Sequence, residues 1–485
     1  MNRLVFRCLQ VAALLFVLRG SRADVLDDWN NAILNSIRTE NAHPCVAARA
    51  LAIVHGAMSD TSAAIHRTEP FFQTENVPSG LPLEPALNAA AYCCATNLFP
   101  SRVAAFKALY EKWIRDLEET PRRGEALRLG RSVADAWITW RGNDGSSGSL
   151  PYIPRTEPGA WRRTPPFVRP PEMYNWARVT PFTMVSAAQF RPPGPPKLSS
   201  ARYAEELNTL KEFGGVQSRA RTAEQTETAR FWSDFSYTVT PPGHWNEAAQ
   251  AVAAARKMSL ETKVKLFAAL NITMSDVAVA CWDSKYVYNF WRPVTAIRAA
   301  ESDGNSATEP DPDWMPLLNT PAFPEYVSGH SAFSGAAAIV LAHFNGNDKV
   351  RFTISSDSLP GKTRTYESLW ACAEEVSQSR LYGGIHFPSA LKDGLKLGEQ
   401  VAQHALDLFF GSKAPAVAKV FTAPGELHFP PWMGVTAERG RPLTIEMRTE
   451  GGKWEVWTNA IASGPVARWR LAEPREAGAF RVKSN

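Results

Sequence analysis

Three stretches of this 485-residue chain hold cationic and proton-exchanging side chains where helix interiors rarely carry them. In "CWDSKYVYNFWRPVTAIR", Lys285 and Arg292 stand seven positions apart among Tyr286, Tyr288, Phe290 and Trp291. On one continuous helix that spacing drifts by only about 20° and advances about 10.5 Å along the axis. Two long cationic side chains on one face would then converge on a shared anion. The surrounding aromatics imply partial burial, and buried cations need a partner. Pro293 ends that helix or begins the next.

In "FPEYVSGHSAFSGAA", Ser328 is a natural N-cap for a helix of small and apolar residues, and Gly329 lets backbone amides approach a ligand. Unpaired N–H groups and the helix dipole favour an oxyanion at that point. His330, in the first turn, would exchange a proton with it. In "YESLWACAEEVSQSRLYGGIHFPSALKDG", a helix is expected from about Tyr366 to the glycine pair Gly383-Gly384, with Arg380 in its last turn. His386 follows, and Pro388 opens another helix. Taken singly, these features also fit a solvated basic edge, a plain serine cap and an arginine neutralising a helix C-terminus. Together they supply three cations, an anion-binding helix start and two histidines. That set suits a tetrahedral oxyanion held by one covalent or coordinating histidine and served by one acid–base histidine.

The elements that must position these residues are mainly helices. "AARALAIVHGAMSDTSAAI", "GEALRLGRSVADAWITW" and "SSARYAEELNTLKEFG" repeat apolar residues at threes and fours, and the helical pattern returns from Ser199 to about Phe410. Between them a dozen prolines interrupt residues 151–196, which excludes regular structure. The same segment holds Trp161, Phe167, Tyr174, Trp176, Phe182 and Phe190, too many aromatics for a solvated tether. Residues 151–198 are therefore expected to be an ordered loop clamped on a helical body of residues 24–413. After Gly411, "PLTIEMRTEGGKWEVWTNA" alternates about a Gly451-Gly452 turn, so residues 414–485 are expected to form a small β-rich appendage.

Residues 1–23 carry two early arginines, an apolar stretch too short to span a bilayer, and small residues before Asp24. This is the pattern of a cleaved export signal, implying a secreted or periplasmic protein. No later run of apolar residues is long enough for a membrane span. A net charge of +5 over the whole length, with no basic cluster interleaved with aromatics, argues against nucleic acid. Five cysteines follow the signal in odd number and without a CxxC spacing, so buried thiols are expected. Oligomerisation is left open.

The order Lys285-x6-Arg292-Pro293, Ser328-Gly329-His330, Ser379-Arg380-x5-His386 resembles the signature shared by vanadium-dependent haloperoxidases and type 2 phosphatidic acid phosphatases. "ARALAIVHGAM", "QFRPPGPP" and "YNFWRPVTAIR" add a softer similarity to the bacterial haloperoxidases. The resemblance implies a mainly α bundle of the acid phosphatase/vanadium haloperoxidase type. Lys285, Arg292, Ser328, the Gly329 amide and Arg380 would bind the oxyanion oxygens. His386 would coordinate vanadium, His330 would be the acid–base group, and Trp282 and Phe323 match aromatic positions of the halide pocket. Two positions depart from the pattern. Val327 replaces a proline, and Ala390 stands where an aspartate usually supports the second histidine; Asp393, about a turn further on, is the candidate substitute.

Vanadate and phosphate share charge and near-tetrahedral geometry, so phosphate would fit the same cage. As a haloperoxidase the chain would use hydrogen peroxide, halide and a small organic acceptor, with Lys285 polarising bound peroxide. As a soluble, exported acid phosphatase it would use His386 as nucleophile. A non-catalytic cell-surface binding protein is the third alternative. The lack of membrane helices, the export signal and the two pocket aromatics favour the haloperoxidase.

Overall fold

The computed structural model describes residues 24–410, apart from Thr74 and Asp116, and the backbone of six later strands. The candidate export signal lies outside the described residues.

The first helical group comprises α1 (Val25–Thr39), α2 (Pro44–His66), α3 (Leu83–Leu98), α4 (Val103–Ile114) and α5 (Pro121–Arg141). The second comprises α6 (Ala201–Gly214), α7 (Ala223–Phe231), α8 (Thr240–Ala255), α9 (Leu260–Tyr288), α10 (Pro293–Arg298) and α11 (Gly329–Asn345), then α12 (Leu369–Tyr382) and α13 (Pro388–Phe410). The protein is thus mainly α. Helix α9 joins the groups, packing on α2 from one side and on α11 and α13 from the other. It is long and apolar enough to cross a bilayer, yet 94% of its most apolar stretch is buried inside the protein, the position of a core helix.

The crossing of α11 and α13 sets the distance between the two candidate histidines. A Cβ on Gly335 would lie 2.4 Å from the Leu395 carbonyl oxygen, and one on Gly398 would lie 2.1 Å from that of Ala332. Side chains at either position would force the helices apart. The N-termini of α11 and α13 are held together as well, since the Ser328 N–H donates to the Ala390 carbonyl at 3.1 Å.

The proline-rich segment is tied to α9 by specific bonds. Asp276 accepts from the Phe182, Thr183 and Met184 amides and from the Thr183 hydroxyl. Arg191 forms a two-pronged pair with Asp283 at 2.6 and 2.8 Å. The Trp161 and Trp291 amides donate to the Asn289 and Gly159 carbonyls, each at 2.8 Å.

Two expectations need correction. Helix α9 stops at Tyr288, where Asn289 takes a left-handed cap conformation with φ 47°. Arg292 is the extended N-cap of α10, and Pro293 starts that helix rather than ending the previous one. Lys285 and Arg292 therefore do not share a helical face. The helix expected from Tyr366 begins at Leu369, because residues 363–368 belong to an antiparallel hairpin of β1 (Lys349–Ser355) and β2 (Thr363–Ser368). Beyond α13 come β3 (Val417–Phe421), β4 (Trp432–Thr436), β5 (Pro442–Arg448), β6 (Trp454–Ile461), β7 (Val466–Arg470) and β8 (Phe480–Ser484). They pair in two three-stranded antiparallel sheets, β3-β4-β7 and β6-β5-β8. The turn expected at Gly451-Gly452 lies outside the described residues.

Candidate active site

His386 owes its position to a glycine. Gly384 has φ +75°, and a Cβ there would stand 2.3 Å from the Gly214 carbonyl oxygen. The tight turn after α12 delivers His386 to the interior just before Pro388 starts α13. Its Nδ1 lies 2.9 Å from Glu325 Oε1, and the same oxygen accepts the Phe387 amide at 2.9 Å. An oxygen already accepting a main-chain N–H is the acceptor of this pair, so the network assigns the imidazole proton to Nδ1. Nε2 is left with its lone pair, whose partner is Arg292 Nη1 at 3.2 Å. Burial, reinforced by Arg292, Lys285 and Arg380, holds His386 well below the ordinary imidazole value and keeps it neutral. Burial pushes the Glu325 carboxyl up to about 8 against the pull of Arg292, the Phe387 amide and Lys285.

The three candidate cations are fully buried. Arg292 donates to the Phe323 and Ile385 carbonyls at 2.8 and 2.9 Å, while its Nη2 has no partner. Burial lowers it to about 10, countered chiefly by Glu325. Lys285 Nζ is bound by the Pro324, Glu325 and Val327 carbonyls, which pins the turn that carries Glu325. Burial lowers this lysine to about 8. Arg380 donates to the Ala229, Trp232 and Ser233 carbonyls, and burial lowers it to about 10 against the charge of Asp234.

Ser328 caps α11 as the sequence predicts, accepting from the Ser331 amide. Gly329 is the first residue of that helix, where the amide has no intrahelical acceptor. His330 follows it, with Nε2 3.3 Å from Arg380 Nη1, and burial and Arg380 depress its protonation well below the usual range. Three cations thus face two principal counter-charges, Glu325 and Asp234, in a site biased toward an anion.

Gly329, His330, His386, Trp282 and Phe323 line a cavity of about 700 Å³, while Lys285, Arg292, Ser328 and Arg380 lie buried behind its wall. Asn41, Met173, Asp234, Tyr237 and Thr240 also line it, and all five adopt positive φ. Left-handed non-glycine residues gather where a site over-determines the backbone. Exposed Phe167 and Tyr237 stand at the same cavity.

The candidate site residues, brought from α9, α10, α11, α12 and the loops before α11 and α13, therefore meet in one place. Asp393 does not join them: its Oδ2 accepts from the Tyr326 hydroxyl at 2.7 Å. Ala390 is fully buried in the apolar core. The carboxylate behind His386 is Glu325, 61 positions earlier, which the sequence pattern does not single out. Its signal in hindsight is an acidic residue inside the otherwise apolar run "AFPEYV". His43, whose ring meets Trp282 edge-on at 5.2 Å, was equally unmarked.

The fold and this site define a helical-bundle protein that gathers three buried cations around two neutral histidines. Comparison with known proteins shows what the chain is similar to. Residues 265–411 match the VCPO second helical-bundle domain. The vanadium chloroperoxidase of Curvularia inaequalis is 26% identical over 258 residues, covering 40% of this chain and 42% of that protein's length. The first bacterial vanadium-dependent iodoperoxidase superposes with a TM-score of 0.66 and 26% identity over 79% of this chain and 95% of its own. The holo-type bacterial vanadium-dependent chloroperoxidase shares the fold, with a TM-score of 0.59 and 18% identity, over 76% of this chain and 93% of its own. The chain is thus similar to vanadium haloperoxidases in the sequence of its second helical bundle and in its fold.

Proposed function

We propose that the chain is a vanadium-dependent haloperoxidase that uses hydrogen peroxide to oxidise halide, yielding hypohalous acid for a small organic acceptor. One observation carries this reading. Glu325 fixes the His386 tautomer so that a neutral Nε2 lone pair meets Arg292 Nη1 at 3.2 Å, and the other terminal nitrogen of that guanidinium, Nη2, is buried without a partner. A single nitrogen donor surrounded by cations and amide donors suits vanadate, an anion carrying its own oxygens, better than a bare cation. When bound, vanadate supplies Lewis-acid activation of peroxide without a change of redox state.

The chain's own residues do the rest. His386 Nε2 would be the metal ligand, with Glu325 holding the ring and raising its basicity. Arg292 Nη2, the Ser328 hydroxyl, the Gly329 amide and Arg380 would bind the oxygens. Lys285 supports the site from behind, anchoring the Pro324–Val327 turn while adding positive charge beside the Phe323 ring. His330 would take and return a proton at the cavity wall. Trp282 and Phe323 would exclude water from the halide, and the exposed rings of Phe167 and Tyr237 offer apolar surface to an organic acceptor. Export through residues 1–23 belongs to the same reading, since it places the protein where peroxide and halide meet.

The test uses residues 24–485 purified without phosphate and stripped of vanadium. Saturable orthovanadate binding and vanadate-dependent bromination, both abolished by His386→Ala, are the expected results. Phosphomonoester hydrolysis that vanadate inhibits, without bromination, would instead establish the phosphatase.

A further inference from the structure

His43 is the N-cap of α2, and its Nδ1 accepts the Cys45 amide at 3.2 Å. A nitrogen that accepts a main-chain N–H is the unprotonated one, so a neutral His43 carries its proton on Nε2. Burial, and secondarily the Arg169 charge, lower this histidine to about 3, which keeps the ring neutral. Nε2 points to the side of the ring opposite the cap and is buried without a hydrogen-bond partner. Buried N–H donors without acceptors are rare and need an explanation.

The explanation lies in what surrounds this donor. The ring meets Trp282 edge-on at 5.2 Å and Phe323 edge-on at 6.0 Å, and those two rings meet each other at 5.0 Å. All three line the cavity that holds Gly329, His330 and His386. The indole N–H of Trp282 is a second buried donor with no partner. Lys285 Nζ lies 5.0 Å and the Arg292 guanidinium 4.9 Å from the Phe323 ring, so the local field is positive. Glu172, the nearby acid on the cavity wall, is taken up by Arg169 at 2.8 Å. Two neutral N–H donors among aromatic edges, which carry partial positive charge, suit a monatomic, weakly hydrated anion. An oxyanion would need more donors than this corner provides.

We infer that His43 is a halide-binding residue, its Nε2–H acting with the Trp282 indole N–H to hold bromide or iodide in the corner of the cavity beside the Trp282 and Phe323 rings. The inference rests on the haloperoxidase reading for its purpose, but binding itself requires neither vanadate nor turnover. His43 comes from the first helical group, so the halide would be held at the junction of the two groups rather than by the second bundle alone.

The test is diffraction from bromide-soaked crystals of the vanadate-free full chain, using bromide anomalous scattering. The informative variant is His43→Asn, which retains an N-capping oxygen for α2 yet cannot extend a donor to the pocket. His43→Phe serves as a second variant that fills the ring's place. The expected result is an anomalous peak in hydrogen-bond contact with Nε2, lost or displaced in both variants. In the vanadate-loaded enzyme the KM for bromide should rise by about tenfold or more, as for one hydrogen bond to an ion, while kcat at saturating bromide and the KM for peroxide hold. No bromide in this corner, or a peak and a bromide KM unchanged by both variants, would overturn the assignment. Bromide bound at His43 in a protein without haloperoxidase activity would sustain the site and refute the function.

Discussion

Two buried carboxylates, Asp276 on α9 and Glu325 before α11, show how similar chemistry serves different ends. Asp276 receives three amides and a hydroxyl from the proline-rich segment, and both of its oxygens are engaged. Asp60 does the same with the Phe71, Phe72 and Gln73 amides and the Trp137 indole. These are anchors, in which a carboxylate replaces the ladder partners that an irregular segment lacks. Glu325 has only His386 Nδ1 and the Phe387 amide, both on one oxygen, while Oε2 is buried without a partner in the field of Arg292 and Lys285. Satisfied carboxylates hold chain; a half-satisfied one beside a histidine tunes it.

Substitutions should separate the two roles. Asp276→Ala should have the largest effect, on stability. It orphans four buried donors at about 1–3 kcal/mol each, so the urea midpoint should fall by the equivalent of at least about 3 kcal/mol. Vanadate affinity of the folded fraction should change little. Glu325→Ala should do the reverse, weakening vanadate binding by about 10–100-fold, as for other supporting carboxylates, with a smaller loss in the urea midpoint. Equal effects of both variants on both readouts would erase the distinction.

A pH titration sharpens the contrast from the side of the cations. Lys285 titrates near 8, so it is charged below that value and neutral above it. Glu325 ionises in the same range, so the site loses one positive charge and gains one negative charge as pH rises through about 8, and vanadate affinity measured by calorimetry should decline on that limb. Lys285→Met should make that limb shallower, and Lys285→Met combined with Glu325→Gln should flatten it. Toward acid no matching loss is expected above pH 6, because His386 stays neutral well below its ordinary value. The smallest effect belongs to Asp393→Asn. Its bond runs to Tyr326, away from His386, so vanadate affinity should stay within about a factor of two.

That last residue shows where sequence reading stops. Helical periodicity discloses most of the bundle, and cap chemistry at Ser328, Gly384 and Pro388 places the two histidines at helix starts, because these signals are local. Asp393 attracted attention through its spacing from His386 along α13, but the histidine sits before that helix and faces the turn at Glu325. The pairing of Glu325 with His386 crosses 61 positions and leaves no periodic trace. Arg292 misled in the same way, since a left-handed Asn289 ends α9 three residues earlier and an extended cap, not a shared helical face, carries the guanidinium inward. The hairpin of β1 and β2 was legible in principle, as Lys349–Ser355 alternates strictly between exposed and buried positions, but it is short and set between strong helices.

Glu325 holds His386 as the Nδ1–H tautomer, leaving an unprotonated Nε2 as the proposed vanadate ligand. Nitrogen-15 NMR of histidine-labelled protein, with His386→Gln to assign the signal, measures this directly. The expected spectrum shows a protonated Nδ1 and an unprotonated Nε2 for His386 at neutral pH, with the Nε2 resonance shifting when orthovanadate is added. A proton on Nε2, or an Nε2 resonance indifferent to vanadate, would contradict it.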